Sequence, residues 1–370
     1  MTDWRFAGER PPATASEWVT EFERYRESPE GRLHNADLSL GEFKFIYWME
    51  WAHRMWGRGL GLYVAAPLAV FAARGWIGPR LGLRVGVLFC AGGAQALVGW
   101  WMVRSGLEEP PPERALTPRV SPWRLAAHLA SAFAIYGGLL WTWLGARAEL
   151  AANKAMTVVV SEVADRAALR LASLRALPAL GLVATTAASG ALVAGLDAGR
   201  VYSDFPWMNG RLVPLPTEYW DDRLMPRWRS LGESPAAVQF DHRALAVTTL
   251  AAGIAQWAAF PRAGGVALGG PRRLAALVAV AVVGQACLGV ATLWGGVPPA
   301  LGSAHQAGAL FLGSLSLALV HSLAGLGGLA GVPALVVATR VGTPAVGALT
   351  VGASLAAIKS HQDGTEAAAA

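Results

Sequence analysis

The sequence predicts an all-α polytopic membrane protein built from two pseudo-equivalent helical bundles. Three observations carry this. First, 54% of the 370 residues are hydrophobic and only 15% are charged, giving a mean hydropathy of +0.38, well outside ordinary soluble usage. Second, the apolar residues gather into blocks long enough to cross a bilayer. Third, a pattern of His, Gln and Gly occurs twice along the chain. The same numbers exclude other classes. Two cysteines, Cys90 and Cys287, both inside apolar runs, do not make a secreted disulfide scaffold. The hydrophobic content excludes disorder over most of the length. A net charge of +6 and a pI near 9.7 raise the question of nucleic acid. The basic residues are scattered between apolar blocks and form no stripe, so they read as membrane-flanking charge and no nucleic-acid partner is expected.

Stretches able to span roughly 30 Å of hydrocarbon lie at 45–72, 81–103, 122–145, 176–196, 239–260, 274–294 and 300–328. An eighth, at 332–358, is rich in Gly, Thr and Ala and interrupted by Arg340 and Pro344. Backbone groups in lipid need internal partners, so each span is a helix. The connectors 73–80 (Arg74, Arg80) and 261–273 (Arg262, Arg272, Arg273) are basic without an acid. In 146–175, Arg147, Lys154, Arg166, Arg170 and Arg175 outnumber Glu149, Glu162 and Asp165. By the positive-inside rule these three face the inner side, which puts 104–121, 197–238 and 296–299 outside. Seven spans then leave the N-terminus outside, although MTDWRFAGERPP has no signal-peptide or transit-peptide character. A further span ahead of this segment is one expectation that resolves the parity.

The repeat links the halves. His53-Arg54 is followed 42 residues on by Gln95 and then Gly99; His242-Arg243 is followed 43 residues on by Gln285 and then Gly289. After each Gln comes an outer connector and a span with a His near its start, His128 or His305. All four histidines sit close to the outer ends of their spans, two per half on different helices. Paired imidazoles on facing helices are what axial ligation of haem iron needs. Arg54, Arg58, Arg124 and Arg243 lie near enough in sequence to pair with propionates. A lone His near an interface is ordinarily a hydrogen-bonding residue; four at one depth, two per repeat, favour ligands. His321, about 160° round its helix from His305, is given no role, and His34 and His361 fall outside the spans.

Glu50 shares a helical face with His53 three residues on. An acid this far into an apolar span is a functional hypothesis by default: active-site participation, or a carboxylate that orients a neighbouring His or Arg54. Gly57 and Gly61 on the same helix allow close approach of a helix or a flat ring. The outer loop GLDAGRVYSDFPWMNGRLVP combines Gly turns, aromatics and charge. It reads either as a cap over a site or as an interfacial anchor.

Four segments, EFKFIYWMEWAHRMWGRGLGL, GLDAGRVYSDFPWMNGRLVP, VQFDHRALA and GSAHQAGAL, resemble signature segments of the haem A synthase family, in its mitochondrial and alphaproteobacterial branch. The resemblance runs from about residue 3 to 325. It implies eight helices in two four-helix bundles, the first of which here lacks its first helix, leaving seven. It implies oxidation of the C8 methyl of haem o to the formyl of haem a for cytochrome oxidase. Glu50, His53 and His128 match the family's substrate half; His242 and His305 match a haem b site, with Arg54 and Arg243 beside the ligands. Cys90 and Cys287 do not match the outer-loop cysteine pair of some bacterial members. Implied partners are haem o and haem o synthase, an electron donor such as ferredoxin with its reductase, cytochrome oxidase assembly factors, and a homo-oligomeric state. The implied location is the mitochondrial inner membrane, or a bacterial plasma membrane.

The chain divides into an outer segment (1–44), an N-terminal substrate-haem half (45–145), an inner connector (146–175), a C-terminal haem b half (176–328, with outer loop 197–238) and a low-complexity tail (329–370). Two rival readings stand beside the synthase. A non-enzymatic dihaem electron carrier of the cytochrome b type would also place His pairs on facing helices. A transporter with an internal repeat would bind near the midplane at broken helices, which the outer depth of the histidines disfavours.

Overall fold

The computed structural model describes residues 10–108, 120–152, 163–260 and 268–327. The 332–358 segment, His361, the N-terminal nine residues, and the connector residues Glu109, Glu113, Lys154, Glu162 and Arg262 lie outside them. All regular structure among the described residues is helical. A capping box opens α1 (Ala15–Glu27), where Thr14 and Glu17 satisfy each other's backbone N–H. The short α2 (Pro29–Leu33) follows. Ser39 and Glu42 repeat the device at α3 (Leu40–Ala73). Then come α4 (Pro79–Leu107), α5 (Pro122–Ala152) and α6 (Val163–Gly195). The outer loop carries α7 (Ala198–Val201), α8 (Pro216–Tyr219), a 3-10 turn (Arg227–Arg229) and α9 (Ser230–Glu233). The chain re-enters through α10 (Pro235–Ala258), α11 (Gly269–Trp294) and α12 (Pro299–Gly325). Pro begins α4, α5, α10 and α12, where its fixed φ suits the helix and its missing N–H is no loss.

Each of the seven spans read from sequence corresponds to one long helix, α3, α4, α5, α6, α10, α11 and α12. By length and composition, 6 of them can cross a membrane. The seventh, α10, falls short in hydropathy because Gln239, Asp241, His242, Arg243 and Gln256 lie along it. Its 24 residues still extend about 36 Å at 1.5 Å per residue. The chain is therefore an all-α polytopic membrane protein. In the C-terminal half α6, α10, α11 and α12 close a four-helix ring, each packed on two neighbours. Its core, away from the outer loop, joins Leu169 and Val183 of α6, Val278 and Val282 of α11, and Leu312, Leu319 and Leu323 of α12. In the N-terminal half α3 packs on α4 and α4 on α5. The halves meet where α5 lies against α6 and α12: Tyr136 Oη is 2.9 Å from Ser314 Oγ, and Trp141 stands edge-on to the buried His321 at 4.8 Å between centroids. His321 thus serves the junction between the halves.

The first turns of α3 project beyond the bundle. Phe43 and Tyr47 are buried there against Trp18 and Tyr25 of α1, so α1 and α2 cap the outer end of the N-terminal half. Farther along, Trp56 and Tyr63 are 79% and 77% exposed, as suits a face turned to lipid.

Candidate functional site

His53 is carried by α3, His128 by α5, His242 by α10 and His305 by α12. His128, His242 and His305 lie six or seven residues past the first residue of their helices, within two turns of the outer end. His53 is thirteen residues into α3, because that helix gains the extra turns that hold α1. Each half brings its two histidines near one another, His53 to His128 and His242 to His305.

The surroundings fix how each ring lies. Ser189 of α6 stands 2.8 Å from His242 Nδ1 and donates its one hydrogen to the Thr186 carbonyl at 2.8 Å. Its oxygen therefore accepts from Nδ1–H, which leaves Nε2 with its lone pair. Neighbouring Gly190 leaves room for this contact: a methyl there would stand a tight 3.2 Å from His242 Cε1. His128 rests on Gly99 of α4 and His305 on Gly289 of α11, each 2.9 Å from where a methyl would sit. Gln95 Nε2 lies 3.1 Å from His128 Nδ1, and Gln285 Nε2 lies 3.1 Å from His305 Nδ1.

In the sequence Gln95, Gln285, Gly99 and Gly289 mark the repeat; the structure places them against the rings. Ser189 and Gly190 carry no signal of their contact with His242. Nothing in the sequence distinguishes that Ser-Gly from others in an apolar helix.

Glu50 forms an ion pair with Arg54 one turn on, both side chains largely shielded. The pair offsets the burial of each group and points to neither role alone. Arg124 donates to the Trp101 carbonyl at 2.8 Å and lies over the Trp101 ring. Arg243 turns to the outer loop. Its terminal nitrogens donate to the carbonyls of Tyr202 and Asp204 at 2.7 Å and of Trp207 at 2.9 Å. The loop is thereby folded back over the start of α10, with Tyr202 and Met208 buried against Ala236. Tyr219 donates to Asp241 at 3.0 Å, and burial followed by this bond pushes its phenol up to about 12. Trp123 of α5 donates to Glu233 of α9 at 3.2 Å, tying the loop to the other half.

Among the described residues no cluster of three or more His, Cys, Asp and Glu is arranged to hold a bare metal ion. Two facing imidazoles with a free Nε2 suit an iron whose other four ligands come from a macrocycle, and the Ser189 contact suits that tautomer of His242. The residues fit haem.

The family model described as cytochrome oxidase assembly protein, COX15-CtaA, matches residues 1–317. The chain belongs to this family. Among its relatives, "Heme A synthase COX15" of Arabidopsis thaliana is 47% identical over 332 residues, which cover 87% of this chain and 68% of that protein. "Heme A synthase" of Rhodospirillum centenum is 40% identical, with 87% and 80% covered. A "Heme A synthase-mitochondrial ferredoxin fusion protein" of Schizosaccharomyces pombe is 38% identical, with 87% and 55% covered. No solved structure matches the chain.

Proposed function

We infer that the chain is a haem A synthase, an oxidoreductase that converts haem o to haem a by successive oxidation of the C8 methyl. The observation that carries this is membership of the COX15-CtaA family by a chain that brings two histidines near one another in each half. Relatives named for the same activity, up to 47% identical, support it. Two hydroxylations of the methyl give a gem-diol, and loss of water from the diol leaves the formyl group.

The chain works with haem. We assign the substrate to the N-terminal half, under His53 and His128, because Glu50 lies on the His53 face there and no carboxylate lies three residues before His242, where Gln239 stands instead. Glu50 is the residue that handles a proton at the reacting substituent or a water beside it, and Arg54 holds its carboxylate in place. His242 and His305 would hold a resident haem b, which supplies electron transfer when bound. Arg243 acts there through the outer loop, keeping the loop over the site and water away. The fused ferredoxin of the fission-yeast relative supports a ferredoxin as the electron donor here. Haem o synthase and oxidase assembly factors are the neighbours that supply the substrate and take the product. The plant and animal relatives support the mitochondrial inner membrane, and the bacterial ones a plasma membrane as the alternative.

The test is to extract the haems from the purified protein and identify them by mass. Haem b together with haem o, its hydroxymethyl derivative or haem a is expected. Haem b alone, with no conversion of added haem o, would overturn the assignment in favour of a dihaem electron carrier.

A further inference from the structure

We propose that the hairpin tip of the outer loop, residues 205–213, is seated in the adjacent leaflet of the membrane, with Trp207, Leu212 and Val213 against lipid. The proposal rests on the membrane bundle and stands apart from the haem assignment.

The turn sets the backbone of the tip. Met208 and Arg211 exchange hydrogen bonds at 2.6 and 3.2 Å, with Asn209 at φ 50° and Gly210 at φ 80° between them. Two central residues of positive φ make the tight connection that the twist of a hairpin prefers. Residues opposite one another in such a pair share a face, and the next pair takes the other face. Trp207 and Leu212 therefore stand on the face away from Met208. Met208 is 2% exposed, whereas Trp207, Leu212 and Val213 are 49%, 57% and 59% exposed. The hairpin has one face closed on protein and one apolar face open.

What the open face meets follows from the helix behind it. Ala236, Phe240, Arg243, Val247 and Ile254 recur at i, i+4, i+7, i+11 and i+18, one stripe along α10. The loop covers the start of this stripe. Tyr202 and Met208 pack on Ala236 and Phe240, and Arg243 holds the carbonyls of Tyr202, Asp204 and Trp207. Val247 and Ile254 continue the stripe uncovered. A different side of α10, carrying Thr249, Gly253 and Gln256, enters the bundle. The loop thus lies beside the first turns of α10, on the flank that faces lipid farther along, and not above the helix end. Arg243 is eight residues past Pro235, about 12 Å along the axis, and its side chain leans back toward the helix start. This places the tip in the interfacial layer, where amphipathic segments bury an apolar face about 5–10 Å deep. Tryptophan favours that layer, and Arg211, exposed at the turn, reaches lipid phosphate from it. In water the same three side chains would form an apolar patch of the kind that marks an interaction surface. Its continuity with Val247 and Ile254 makes lipid the partner.

The test uses the full chain, purified as it is made and reconstituted in phosphatidylcholine vesicles. The exposed Cys90 and Cys287 are replaced by Ala, and one nitroxide label is attached through Leu212→Cys, Val213→Cys, Val247→Cys or Asp222→Cys. Val247 is the lipid-facing reference; Asp222, whose side chain is 79% exposed, is the aqueous one. Collision of each label with oxygen, which concentrates in hydrocarbon, is compared with collision with a water-soluble nickel chelate. Labels at 212 and 213 should favour oxygen as the label at 247 does, with chelate collision several-fold below that at 222. Chelate access at 212 and 213 equal to that at 222 overturns the proposal. Shielding of both sites from both reagents overturns it as well, because a second copy or another protein then covers the tip. Helical content by circular dichroism checks that each labelled chain is folded, and if Leu212→Cys does not accumulate, Val213→Cys decides by the same comparison.

Discussion

Gly289→Ala should loosen the haem of the C-terminal half without unfolding the bundle. The added methyl would stand 2.9 Å from His305 Cε1 and 3.5 Å from Nε2. Carbon atoms in contact settle at about 3.5–4.0 Å, so the ring must retreat by about 0.6–1.1 Å. That lengthens its contact with Gln285 beyond hydrogen-bond range and tilts Nε2. Overpacking of this size costs about 1–3 kcal/mol. In the haem-free chain the ring swings aside and relieves the strain; the cost then falls on ligation. At about 1.4 kcal/mol per decade it weakens haem binding by about 5- to 150-fold. Alanine's advantage over glycine within a helix, about 1 kcal/mol, stabilises α11 with or without haem and does not restore the ligand. Two glycines calibrate the effect. Gly190→Ala meets His242 Cε1 at 3.2 Å and should give a smaller loss at the same haem, while Gly284→Ala, also on α11, meets nothing within 4 Å and should give none. The assay is haem-to-protein ratio after graded detergent washing, with reconstitution of stripped protein by titrated haem. Equal retention in all three variants would refute the argument that these glycines exist to seat the rings.

Replacing either His242 or His305 with Ala should abolish the low-spin b-type spectrum while protein remains in the membrane; an unchanged spectrum in both variants would sink the pair as ligands. Glu50→Gln should keep haem bound and accumulate the hydroxymethyl intermediate on chromatography of extracted haems. Arg54→Gln, which removes the ion-pair partner, should shift the same ratio in a weaker way, and a normal haem a yield from Glu50→Gln removes Glu50 from the mechanism. Tyr219 gives a pH dependence. Its phenol is raised from 10.0 to about 12, so the contribution of its contact with Asp241 to the outer loop is fully present below pH 10 and is lost as pH rises through about 12. Limited proteolysis of the loop should follow that window, and Tyr219→Phe should flatten it.

The sequence by itself determined the class and the places of the long helices, because a bilayer asks for blocks of apolar residues about twenty long and such blocks are visible without tertiary information. It also singled out the four histidines and Glu50 as candidates. Ionisable residues inside apolar runs are costly, so their presence stands out against the composition. The recurrence of His, Gln and Gly at nearly equal spacing exposed the two halves. What it could not supply was contact across helices. That Ser189 and Gly190 stand behind His242 depends on packing between helices far apart in the chain, and one small residue in an apolar helix looks like another. Arg243 shows the same limit. Beside His242 it reads as a propionate partner, yet four N–H groups in a shielded site go to whichever acceptors the fold brings near, and the fold brings the carbonyls of the outer loop. The tertiary structure alone decided the length of α3, since the turns beyond the membrane exist to bury Phe43 and Tyr47 under Trp18 and Tyr25, a contact no hydropathy window can see.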